Sequence, residues 1–156
     1  MGKTGAGFNR GASKQDYKSP EDFMSALRKR FGPIAFDLAA SDHNTQHRNY
    51  FTIRDNSLIQ EWHKIPGLLF LNPPFDNIAP WAKKCMDERL LGAHIAFLVP
   101  ASIGSNWFQD FVFKHSFTHG LNPRLCFDGI APYPKDMMLN VFSPWGETGF
   151  DVWRWK

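Results

Sequence analysis

Asn72-Pro73-Pro74-Phe75 is the segment of this sequence whose residue types and order carry a chemistry. The carboxamide oxygen of Asn72 and the backbone carbonyl of Pro73 are two acceptors that can grip the two hydrogens of a planar amino group. Successive prolines fix the backbone torsions and remove two donors, so the carbonyls of this turn are held rigid and unpaired. Phe75 offers a flat face on which a flipped base can stack. An exocyclic amino group is a poor nucleophile because its lone pair is delocalised into the ring. Two aimed acceptors favour the pyramidal, electron-rich form that attacks a methyl group, and no strong base is then required. The competing reading is a strand-ending turn in which Asn72 caps and the prolines merely terminate. Gly67-Leu68-Leu69-Phe70-Leu71 favours the chemical reading, because a continuous apolar run suits a parallel strand covered on both faces. The loop then lies at the carboxyl end of a strand, where open α/β sheets bind ligands.

The elements that must position this loop are legible around it. Ser19-Pro20-Glu21-Asp22 is a helix start, with Ser able to cap, Pro tolerated at the first helical position and acids suited to the positive end of the dipole. That helix is predicted to run to about Phe31, where Gly32-Pro33 stops it. Ile34 to Leu38 reads as a buried strand ending near Asp37. Tyr50 to Ile53 has the content of a short strand, and Ser57 to Trp62 of a turn or two of helix. Ile78, Trp81, Ala82, Cys85, Met86 and Leu90 recur at helical spacing opposite Lys83, Lys84, Asp87 and Glu88, which predicts a helix from about Asn77 to Leu91. His94 to Val99 reads as a second interior strand and Trp107 to Lys114 as a helix. Arg124 to Phe127, Met138 to Phe142 and Asp151 to Trp155 are strand-like. Strands separated by helices mean an α/β domain with a mainly parallel sheet, and no internal repeat or second domain is visible.

Length and composition narrow the classes. A chain of 156 residues with 43% hydrophobic and 21% charged residues suits one globular domain and excludes disordered, collagen-like and coiled-coil classes. Its longest apolar runs, Leu68 to Leu71 and Ile95 to Val99, fall far short of the roughly 20 residues needed to cross a bilayer, so a cytoplasmic protein without a membrane partner is expected. Cys85 and Cys126 show no paired spacing and are expected to be reduced, structural thiols. His43 with His47, and His115 with His119, stand four apart but lack an intervening Glu or a third ligand, so no metal is expected. Met1 to Asp16 is a basic arm, set apart from a domain spanning residues 17–156. Gly2-Lys3-Thr4 within that arm lacks the upstream glycine and strand of a phosphate-binding loop.

Further motifs stand in order along the chain. They are Tyr17-Lys18-Ser19-Pro20 with Phe23; Phe36-Asp37-Leu38-Ala39-Ala40 with Asn44; Asp55-Asn56-Ser57-Leu58 with Trp62; Leu98 to Ser102 with Trp107-Phe108; and Arg124-Leu125-Cys126-Phe127. Together with Asn72 to Phe75, this ordered set resembles the small, phage-type DNA N6-adenine methyltransferases, the Dam-like family. The loop alone also occurs in methyltransferases acting on cytosine, RNA bases and protein glutamine.

The resemblance implies a single Rossmann-like class I methyltransferase domain that uses S-adenosylmethionine and acts on DNA, in the host cytoplasm if the gene is phage-borne. It implies Asn72, Pro73, Pro74 and Phe75 as the catalytic loop. Asp37 is then the partner of the cofactor ammonium with the Ala39 backbone beside it. Tyr17, Ser19 and Pro20 close over the pocket, Asn72 also borders the cofactor, and Asp55 contacts its ribose or adenine. Asp37 as a helix cap and Asp55 as a turn starter are the structural alternatives.

Two departures from the larger methyltransferases are visible. Leu38-Ala39-Ala40-Ser41 stands where a glycine-rich turn is usual, and the span from Asp37 to Asn72 is too short for two further strand-helix units, so part of the sheet is expected to be missing. Target reading is expected from loops such as Asp76 to Pro80 or Asp128 to Asp136, or from a second subunit, with Lys3, Arg10, Lys14 and Lys18 of the basic arm as candidate DNA contacts. Methylation of another planar nitrogen, or a non-catalytic nucleic-acid-binding module of the same fold, are the alternative functions.

Overall fold

The computed structural model describes residues 18–127 and 129–156. Tyr17 and the basic arm lie outside the described residues. The chain is a mixed α/β fold built on a six-stranded, mostly parallel sheet of order β1-β2-β3-β5-β4-β6. The strands are β1 (Ile34–Asp37), β2 (Leu68–Leu71), β3 (His94–Pro100), β4 (Phe117–Asn122), β5 (Met137–Phe142) and β6 (Gly149–Arg154). β1, β2 and β3 are mutually parallel, β5 is antiparallel to both β3 and β4, and β6 is parallel to β4. Every strand except β5 therefore runs the same way.

Helix α1 (Glu21–Phe31) carries Glu21 and Asp22 in its first turn and Arg28, Lys29 and Arg30 in its last, each matched to the dipole. It begins one residue later than a helix with Pro20 at its first position would. Pro20 is extended and serves as the cap residue, its carbonyl accepting from Met24 N–H, and no side chain caps the helix. Ser19 is thereby released for another partner. Gly32 ends the helix at φ 102°, a conformation that favours glycine.

The two sheet faces follow from strand alternation. Leu69, Leu71, Ile95, Phe97 and Val99 pack with Ala82 and Cys85 of α2 (Ala79–Leu90) and with Phe108 and Val112. Leu68, Phe70, Ala96 and Leu98 pack with Phe23, Met24 and Leu27 of α1 on the other side. Among the described residues no helix is long and apolar enough to cross a membrane.

Three predicted elements differ. Tyr50 to Ile53 forms no strand; only a single parallel bridge joins Asp37 to Tyr50, and the chain continues as 3-10 turns at Ile53–Asp55, Ser57–Ile59 and Trp62–Lys64. Asn56 at φ 50° and extended Gln60 interrupt any longer helix there. Trp107 to Lys114 contracts to the π-helical turn Phe108–Val112. Arg124 to Phe127 lies outside the sheet, and the strand is instead Phe117–Asn122, followed by Pro123, which has no N–H to continue a ladder. The composition of β4 hides it, because its buried polar groups are satisfied across the sheet: Thr118 Oγ1 donates to Asn140 Oδ1 at 2.8 Å, and His119 Nδ1 meets Asp151 Oδ1 at 2.6 Å.

Candidate functional site

Because β1 and β2 are parallel neighbours with Asp37 opposite Phe70, the chain leaves both strands at the same sheet edge. Between the two exits lies a cavity of about 520 Å³, within the size range of small-molecule sites. Its walls include Leu38 to Asn44 from the segment after β1, Thr52 to Arg54 with Asn56 and Ser57 from the 3-10 turns, and Asn72, Pro74 and Trp81.

Asp37 is 2% exposed. Its Oδ2 accepts from Gln46 N–H at 2.8 Å and its Oδ1 from Ala39 N–H at 3.3 Å. Burial pushes its carboxyl up to about 7 despite those two donors. Its backbone is held as well, with Asp37 N–H donating to Asn49 O and Asp37 O accepting from Phe51 N–H. Asp37 lies directly behind Leu38 and Ala39 and is not itself part of the cavity wall.

Asn72 Nδ2 donates to the buried Ser19 Oγ at 3.1 Å, leaving Asn72 Oδ1 buried without a hydrogen-bond partner. Gln46 Nε2 donates to Ser19 O at 3.3 Å, so the segment before α1 is tied to both sides of the cavity. Ser19, Asn72, Asp37 and Ala39 are thus brought together through Gln46, and Pro20 follows directly as the cap residue of α1. Asp55 is placed differently. It is exposed, and its Oδ2 accepts from Thr52 N–H at 2.7 Å and Thr52 Oγ1 at 3.2 Å, a capping box on the 3-10 turn whose other residues line the cavity.

Pro73 is buried and Phe75 half-buried, with Phe75 packed against both cores. The Tyr133 ring stands edge-on to Phe75 at 6.3 Å, and Phe127 edge-on to Tyr133 at 5.5 Å. Tyr133 N–H donates to the carbonyl of the buried Leu125 at 2.7 Å, and Arg124 Nε to Asp136 Oδ1 at 2.9 Å, which draws the loop between β4 and β5 toward the end of β2. Sequence reading singled out this loop but not Tyr133. An aromatic residue in a segment rich in Gly and Pro is the signal that was available.

A second group, whose members the sequence reading placed on a motif and a helix but not at the site, supports the wall. Trp81 stacks on the buried Trp62 at 6.4 Å with 19° between planes, and Trp62 Nε1 donates to Ser57 O at 2.9 Å. Glu88 Oε1 accepts from His63 N–H at 2.7 Å, and Lys84 Nζ donates to Glu88 Oε2 at 3.0 Å and to Gln60 O at 2.6 Å.

The site therefore combines a buried carboxylate, two buried oxygens without partners, Ser41 Oγ and Asn72 Oδ1, a stretch of small side chains and an indole wall. That set suits an amphipathic ligand with a flat ring and a charged amino-acid end. Among the described residues, no group of three or more His, Cys, Asp or Glu side chains is arranged to hold a metal ion.

Residues 9–119 match the family model of DNA N-6-adenine-methyltransferase (Dam). The chain is similar to the DNA N-6-adenine-methyltransferase of Escherichia phage T1, 27% identical over 94 residues that cover 60% of this chain and 39% of that protein. It is also similar to the DNA N-6-adenine-methyltransferase of Haemophilus phage HP1 (strain HP1c1), 28% identical over 79 residues, covering 49% of this chain and 44% of that one. The matched stretch spans less than half the length of either phage protein.

Proposed function

This chain belongs to the DNA N-6-adenine-methyltransferase (Dam) family, and from that membership we propose that it transfers a methyl group from S-adenosylmethionine to N6 of a flipped adenine in DNA, on a reduced Rossmann-like class I domain acting in the cytoplasm. The observation that carries the reading is Asn72 Oδ1, a buried acceptor with no partner at the carboxyl end of β2 beside a cavity of ligand size. A native fold rarely leaves such an atom unsatisfied unless something else is to meet it.

The residues present fit the donor. Asp37 supplies the counter-charge for its ammonium group, with the Ala39 backbone alongside. The small side chains of Ala39 and Ala40 let it approach the turn after β1, and Trp81 offers the flat wall for its adenosine. Ser19 and Pro20 close the cavity from the α1 side. Asp55 acts through its capping box, fixing the turn from Thr52 to Ser57 that lines the opposite wall. The bound donor supplies an electrophilic methyl group on a sulfonium sulfur.

Asn72 Oδ1 and the Pro73 carbonyl accept the two amino hydrogens of the adenine, localising the lone pair on N6 for in-line attack. Pro74 holds the turn rigid, and Phe75 stacks on the base with Tyr133 bracing its ring. The proton leaves N6 to solvent after the methyl has moved.

Incubating the protein with radiolabelled S-adenosylmethionine and unmethylated DNA, followed by nucleoside analysis, tests the reading. Label is expected in N6-methyladenine; label in N4-methylcytosine, or only in RNA or protein substrates, would replace adenine by another planar nitrogen. Asn72→Ala is expected to cut turnover by about 100-fold or more, on the order of 3 kcal/mol of transition-state stabilisation, while cofactor binding is largely retained. An active alanine variant would refute the role of Asn72.

A further inference from the structure

Ser41 lies on the cavity wall with a buried hydroxyl that has no hydrogen-bond partner. Every other polar group of this residue is used. Its N–H donates to Asn44 Oδ1 at 2.7 Å, and its carbonyl accepts from Asn44 N–H at 3.3 Å and Thr45 N–H at 3.2 Å. The turn from residue 41 to 45 is thus complete without the hydroxyl, and an alanine, such as the two that precede it, would serve the turn equally well. A buried hydroxyl without a partner is a standing cost to the fold, which a ligand group can remove.

The position of Ser41 says which group. The turn it opens leads straight to Gln46, whose N–H holds the Asp37 carboxylate at 2.8 Å, so Ser41 lies on the short segment that folds back from the end of β1 onto Asp37. In an α-amino acid the ammonium and the carboxylate sit on the same carbon. A ligand whose ammonium faces Asp37 brings its carboxylate to the surrounding loop, and a carboxylate needs donors, which a rotatable serine hydroxyl supplies.

We infer that the Ser41 hydroxyl is a binding group for the α-carboxylate of the methyl donor and of its demethylated product, an assignment that rests on the reading of the cavity given above. Rotation about χ1 exchanges the hydroxyl among its staggered positions.

Calorimetric titration of wild type and Ser41→Ala with two probes tests this: S-adenosylhomocysteine, which has the amino-acid end, and 5′-methylthioadenosine, which lacks it. Ser41→Ala is expected to weaken S-adenosylhomocysteine by about 10-fold or more, the usual effect of losing a hydrogen bond to a charged group, and to leave 5′-methylthioadenosine within about twofold. Ser41→Thr, which keeps the hydroxyl, is expected to recover most of the lost affinity. The melting temperature of ligand-free Ser41→Ala is expected to be no lower than that of wild type. Equal weakening of both probes, no weakening of either, or a lowered melting temperature would overturn the assignment. Failure of the wild type to bind either probe would instead overturn the reading of the cavity itself.

Discussion

The carboxylate of Asp37 sets folding against binding at a single residue. Its folded pKa, about 7, lies above the ordinary 3.8, so between those values the folded chain holds a proton that the unfolded chain has released. Stability therefore falls as pH rises through that window, by roughly 4 kcal/mol once the carboxyl is ionised in both states. Asp37→Asn is expected to raise resistance to urea at about pH 8 and to change it little at about pH 4. A cation placed beside the carboxylate reverses the preference, so affinity for S-adenosylhomocysteine is expected to climb about tenfold per pH unit up to about 7, with proton release on binding below that. Titration in buffers of different ionisation heat reads both quantities, and an affinity flat across this range would reject the ion pair. Asp37 and Asn72 were legible in the sequence because each directly follows or ends an apolar run. Gln46 and the bare hydroxyl of Ser41 were not, since a missing partner is a property of packing rather than of residue order.

Between β1 and β2 the chain has almost no sheet to hold it, and α2 takes over that task. Glu88, 5% exposed on α2, binds both the backbone N–H and the ring of His63, and Lys84 ties Gln60 to the same carboxylate. Burial alone would push the Glu88 carboxyl up, but hydrogen bonds from His63 and Lys84 outweigh it and hold the group below its ordinary value. With a depressed folded pKa, this contribution is present above about pH 4.5 and is lost as pH falls through the folded value. Glu88→Ala leaves the His63 N–H without its acceptor and the half-buried Lys84 ammonium without its counter-charge, and is expected to cost about 3 kcal/mol at neutral pH and less in acid, measured by chemical denaturation. Affinity for S-adenosylhomocysteine is expected to drop with it, because Trp62 no longer braces Trp81. Helices α1 and α2 and the strands β2 and β3 were readable from periodicity and continuous apolar runs. β4 was not: Thr118 and His119 read as exposed until Asn140 and Asp151 arrive across the sheet to satisfy them.

Across the whole molecule, most of the cavity wall belongs to the part with the least regular structure, while β2, β3 and β5 form the buried centre. Amide hydrogen exchange is expected to be fast in the 38–67 segment of the ligand-free protein, slow in those central strands, and to slow markedly in that segment when S-adenosylhomocysteine is added. Uniform protection with and without ligand would contradict it. The short span from Asp37 to Asn72 leaves no room for further strand-helix units, and between β1 and β2 the chain forms a single bridge and 3-10 turns. The insertion of reversed β5 between β3 and β4 had no local signature, because that order depends on which distant strands pair. The cavity walls all fall between residues 38 and 81, and the family match ends at residue 119, within β4, before the loop that carries Tyr133 to Phe75. Recombination between two such genes anywhere from the end of α2 to the start of β4 would give the offspring one parent's cavity wall and the other's Tyr133 loop. No contact among the cavity walls would be cut, but the sheet pairing and the two cores that β5 shares with the first half, and an aromatic ring to meet Phe75, would have to match across the join.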